Sequence, residues 1–146
     1  MAIGIKQTFA VAANIVVTSS IVPVTTGLTS PIAAGETQQL TFFVPFTVGA
    51  TGGVRAIVNV PAGGTSYLLG ATIVNTVTDA IFAETQVAAA AVVNALASAG
   101  THWIAINARI VNGLTAGNVD LAMAQNSSDV LSLTILANGF VDITKL

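Results

Sequence analysis

The feature that most constrains this chain is a two-residue alternation of apolar with neutral polar side chains, repeated in short segments along its length. In residues 36–48, Leu40, Phe42, Val44 and Phe46 fall on one face, because successive side chains of a strand point to opposite sides of a sheet. Val54, Ala56, Val58 and Val60 alternate with Arg55, Ile57 and Asn59. Across 101–112, Ile104, Ile106 and Ile110 oppose Trp103, Asn107 and Arg109, and across 117–125, Val119, Leu121 and Met123 oppose Asn118 and Asp120. Leu131, Leu133 and Ile135 then alternate with Ser132 and Thr134 ahead of a terminal segment 140–143. Clusters of Gly, Pro, Asn and Ser separate the segments at the spacing of a sandwich or barrel.

The expected fold is therefore all-β, a jelly-roll-like β-sandwich of about eight strands with an extended N-terminal arm. Residues 1–35 are assigned to the arm and first strand, and 36–146 to the sandwich domain. Within the arm, 8–18 reads as a strand and 19–35 as a long Pro-containing connection running extended along a surface. Residues 67–76 and 80–91 supply two further strands, but the Ala- and Leu-rich stretch 87–99 also suits a short helix. The loop 113–116 is short enough to join its flanking strands as a hairpin, which would set Arg109 opposite Asp120 and Ile110 opposite Val119. A strict jelly roll would instead send those two strands into opposite sheets.

Charge is scarce: Asp, Glu, Lys and Arg make up 7% of 146 residues, against about 25% in a typical soluble domain. Thr, Ser, Asn, Gln and Gly keep the surface wet instead. They also break up the apolar residues, so a mean hydropathy of +0.84 never becomes the ~18-residue apolar run of a membrane helix. Four basic and six acidic residues form no basic patch for nucleic acid. A hydrophobic fraction of 53% in such a chain points to apolar surface covered by neighbouring subunits, a homo-oligomer. Lys6 followed by 8–17 imitates a secretory signal, but Gln7, Asn14 and the missing small-residue cleavage pattern favour an ordered arm.

Few residues offer chemistry. With no cysteine, thiolate catalysis, disulfides and zinc–thiolate sites are excluded. His102, the single histidine, has Thr101 and Trp103 as sequence neighbours, so it reads as a structural or interface residue rather than the base of a triad. Asp79 and Glu84 are too far apart along a strand to aim across one cleft as a hydrolase or calcium pair. No catalytic, cofactor-binding or metal-ligating residue is expected, and no cofactor. The interface candidates are Phe43, which cannot share the face of Phe42 and Phe46, and Trp103, Asn107, Arg109, Asp120 and Phe140.

The run WIAINARIVNGLTAGNVDLAMAQNSSD at 103–129, followed by LTILANGF at 133–140, resembles the jelly-roll and tumour-necrosis-factor-like modules of phage structural proteins. In those modules a Trp-led strand, a T-A-G turn, an A-Q-N turn and a final Gly-aromatic strand occur in this order. The segment FFVPFTVG at 42–49 adds to the similarity. The resemblance implies a capsid decoration or cement protein on the outer surface of a virion. Such a protein is commonly a homotrimer and grips the major capsid protein across its seams. The same folds also serve as carbohydrate- or receptor-binding tips of tails and fibres, for which Trp103 with Asn107 and Arg109 would be the candidate platform. An extracellular fimbrial or surface-layer subunit is the third alternative.

Overall fold

The computed structural model describes residues 7–18, 20–49, 53–75, 81–88, 91–95, 99–127 and 130–146. Twelve strands and no helix are found among them. In chain order they are β1 (Gln7–Ala10), β2 (Ile15–Val17), β3 (Val24–Ile32), β4 (Thr37–Val48), β5 (Val54–Asn59) and β6 (Thr65–Asn75), followed by β7 (Ile81–Ala88), β8 (Ala91–Ala95), β9 (Gly100–Val111), β10 (Gly117–Ala124), β11 (Leu133–Ile135) and β12 (Phe140–Lys145).

Eight of these make a jelly roll. The pairs β3 with β10, β4 with β9, β5 with β8 and β6 with β7 are all antiparallel and nest inside one another along the chain. Rolling that nested ribbon gives one sheet ordered β3-β10-β5-β8 and a second containing β4-β9-β6-β7. The four other strands all enlarge the second sheet beyond β4. β12 and then β1 extend one half of that edge, and β11 with β2 extends the other.

The alternation read from the sequence fills the space between the sheets. Leu40, Phe42, Val44 and Phe46 of β4 and Ile104, Ile106 and Ile110 of β9 are fully buried. They meet Leu28 of β3, Val54, Ala56 and Val58 of β5, and Val119, Leu121 and Met123 of β10 in one core. Pro45 interrupts β4 without breaking it. It stands where the neighbour of β4 changes from β12, which ends its pairing at Phe43, to β11, which begins at Phe46. A residue without an N–H is tolerated where the ladder is interrupted.

Three expectations are corrected. The stretch 19–35 is not only a connection, since Val24–Ile32 is a strand at the edge of the smaller sheet. The prolines of this stretch suggested a connection, but an edge strand accepts Pro31. Gly27, at φ 79°, lies in a bulge where Thr25 and Thr29 pair with Ala122 and Asp120. There the buried Thr26 hydroxyl donates to the Leu121 carbonyl at 2.9 Å, taking over a ladder bond. Second, 8–18 is not continuous: β1 and β2 are separate strands on separate partners. Third, the hairpin of β9 with β10 does not form, because the two lie in opposite sheets. Residues 112–116 carry the chain across the sandwich instead, held by Asn112, whose side-chain amide donates to the carbonyls of Ala33 and Thr115. Within the stretch 87–99, residues 87–88 end the strand Ile81–Ala88 and Ala91–Ala95 forms another, while residues 89–90 and 96–98 lie outside the described ones.

An ion pair ties the last strand to the β3–β4 turn: Lys145 Nζ lies 2.8 Å from Glu36. Partial burial raises the Glu36 carboxyl's pKa, but the Ala33 amide, Lys145 and the Gln38 side chain together bring it below the ordinary value. Its contribution is therefore fully present above the usual carboxylate pKa of 4.5 and fades as pH falls through the lowered folded value. Glu36→Gln is expected to cost no more than about 1 kcal/mol at neutral pH, with the difference vanishing in acid, as read from urea unfolding at several pH values. In the same assay Ile106→Ala, which empties a fully enclosed site, should cost ~2–5 kcal/mol.

Candidate functional site

The register that buries one face of the larger sheet fixes what its other face presents. Three rows run across β12, β4, β9 and β6 on the outside. One is Thr144, Gln39, Arg109 and Tyr67. The next is Asp142, Thr41, Asn107 and Gly70, and the third is Phe140, Phe43, Ala105 and Thr72. Beyond them Pro45, Trp103 and Val74 form a shorter row. The face thus grades along its strands from charged and polar at one end to aromatic at the other.

The aromatic end is a continuous ladder. Phe43 stacks on Trp103 with ring centroids 4.9 Å apart and 29° between planes, and it meets Phe140 on its other side at 5.4 Å. All three residues are half-buried. Beside Trp103 the turn between β11 and β12 helps to form a groove of about 290 Å³ lined by Asn14, Pro45, Thr101, Trp103, Leu136, Ala137 and Asn138. Hydrogen bonds hold its far wall in place. Leu136 N–H donates to the Pro45 carbonyl, Ala137 N–H to the Asn14 side chain, and Asn138 N–H to the Val11 carbonyl.

Five of the six candidates, Phe43, Trp103, Asn107, Arg109 and Phe140, share this face. Asp120 does not. It belongs to the smaller sheet, where the Asn59 amide donates to its two carboxylate oxygens at 3.2 and 3.1 Å. Asn107 accepts a 2.8 Å hydrogen bond from the Thr41 hydroxyl. Trp103, Asn107 and Arg109 do not converge: at about 3.3 Å per residue the first and last stand ~20 Å apart along one strand. His102 points inward, buried, with its ring 5.3 Å from Phe46. Asp79 lies outside the described residues and Glu84 is described only as part of β7. Among the described residues no three His, Cys, Asp or Glu side chains gather as metal ligands.

No family model matches this sequence, and no curated protein does. Among solved structures, that of the Gx strain of infectious bursal disease virus is similar over 97% of this chain, at 14% identity and a TM-score of 0.48. The VP2 subviral particle of the same virus aligns with 99% of the chain at 12% identity and a TM-score of 0.27. The chain spans 33% and 42% of those two proteins. Neither similarity reaches the level that identifies a family or a function.

The groove residues Asn14, Leu136 and Ala137 carry no signal of their own in the sequence. They join Trp103 only through pairing across the whole chain. Phe43 and Trp103 are expected to couple by ~0.5–1.5 kcal/mol in a double-mutant cycle of alanine substitutions. The cycle is read from urea unfolding of the isolated protein.

Proposed function

We propose that this chain is a non-enzymatic structural subunit of a virion, a capsid decoration or cement protein. It would assemble with itself, commonly as a trimer, and bind across the seams of the major capsid protein on the particle's outer surface. The observation that carries the assembly reading is the ladder Phe140–Phe43–Trp103 on the outside of a sheet, in a chain whose charged residues amount to 7%. Aromatic residues with few charges around them mark the centre of protein interfaces.

A second apolar surface supports the same reading. Gln125 bridges two loops, taking the Ser20 carbonyl with its backbone N–H and the Leu131 carbonyl with its side chain. Ile21, Val22, Val130 and Leu131 stand exposed on those loops. Apolar side chains gathered at one end of a sandwich are more often covered than left in water. The virion assignment itself rests on the resemblance of residues 101–140 to phage structural modules, together with the rolled two-sheet topology. A sugar-binding tip finds less support, since it requires polar groups converging on one aromatic plane, and Asn107 and Arg109 stand away from Trp103.

The test is native mass in solution, followed by sedimentation with capsids lacking the protein. An oligomer that pellets with such capsids is the expected result. A stable monomer that stays in the supernatant would overturn the proposal.

A further inference from the structure

Arg55, Arg109 and Asp120 enter no ion pair among the described residues, whereas Glu36 and Lys145 pair with each other. Arg55 and Asp120 share a surface. Val54, Ala56 and Val58 of β5 and Val119, Leu121 and Met123 of β10 lie in the core, so the residues that alternate with them point away from it. The register sets Asp120 beside Asn59, Ala122 beside Ile57 and Ala124 beside Arg55. The outer face of the smaller sheet therefore carries a carboxylate, an apolar middle of Ile57 and Ala122, and a guanidinium, the two charges ~13 Å apart along the strands at about 3.3 Å per residue. Arg55 is half-buried, and its side chain makes no hydrogen bond among the described residues. A guanidinium in that setting lacks the planar acceptor that its fork of donors matches. Asp120 is held in place by the Asn59 amide at 3.2 and 3.1 Å, which leaves each carboxylate oxygen a further lone pair.

A line of one charge, an apolar middle and the opposite charge is its own complement when turned end for end. A two-fold axis lying between two such faces, at right angles to the line from Arg55 to Asp120, sets each arginine over the other copy's aspartate and the apolar middles over one another. Stacked sheets stand ~10 Å apart, a gap that an arginine and an aspartate reaching from opposite sides can close. We propose that the outer face of the smaller sheet pairs with the same face of a second copy through reciprocal Arg55–Asp120 contacts. The contact is isologous, since the same patch serves both subunits and each charge meets its opposite twice over. That self-complementarity is what singles out a second copy as the occupant. The larger sheet, with its aromatic ladder, stays free to meet other surfaces. The inference rests on the reading of this chain as a self-assembling subunit and names one contact by which copies join.

Charge reversal addresses the contact directly, with native mass from analytical ultracentrifugation as the readout. Arg55→Glu and Asp120→Lys each set like charges against one another at both ends of the pair, so either alone should weaken self-association by about tenfold or more. An equimolar mixture of the two variants should associate as the parent does, because both contacts of the mixed pair again join opposite charges. A single chain carrying both reversals should self-associate for the same reason. Undiminished association of either single variant would overturn the proposal, as would a loss that neither the mixture nor the double reversal restores. A parent that is monomeric overturns it as well. If the parent is oligomeric and pellets with capsids while the reversals change nothing, this pairing alone falls. Loss in the single variants and recovery in the mixture, without pelleting, keeps the pairing and removes the capsid reading.

Discussion

The pairing of β4 with β9 is the constraint on which the rest depends. It runs unbroken from Thr37 opposite Val111 to Val48 opposite Gly100. One register sets Leu40, Phe42, Val44 and Phe46 beside Ala108, Ile106, Ile104 and His102 on the inner face. The same register sets Phe43 beside Ala105 and Pro45 beside Trp103 on the outer face. A slip by one residue would turn every one of these side chains to the wrong side. Core and aromatic ladder are thus two consequences of a single alignment, and neither can be altered by register without loss of the other.

Much of the fold was legible in the period of two. Strands β4, β5, β9 and β10 follow from it with their buried faces, because each keeps an unbroken apolar row on one side. Strand β3 was hidden by the prolines of its stretch, and the tolerance of Pro31 depends on its lying in an edge strand, a property of the sheet and not of the segment. The partner of β9 was hidden for a related reason. Arg109 and Asp120 are as well matched in a local hairpin as charges can be, yet the apolar faces of β9 and β10 are both satisfied only when the strands face each other across the core.

The site was legible in part by the same logic. Phe43 and Trp103 stand out because they are large apolar residues at positions that alternation sends outward, and Phe140 because it follows Gly139 in the last strand. Asp120 was placed with them through the hairpin and left with it. The groove wall formed by Asn14, Leu136 and Ala137 depends on the N-terminal strands and the C-terminal turn meeting beside β4, more than a hundred residues apart in the chain. No local pattern announces such a meeting.

A protein with few charges and a half-open aromatic face is coherent as a part of something larger, where that face is covered. Trp103 is the single tryptophan and lies in the ladder, so its emission reports the face alone. The most direct measurement is quenching of Trp103 fluorescence by acrylamide, in dilute free protein and again in assembled particles. Covering of the face predicts ready quenching in the free subunit, with a blue-shifted and largely protected emission on assembly. Equal quenching in the two states would contradict it.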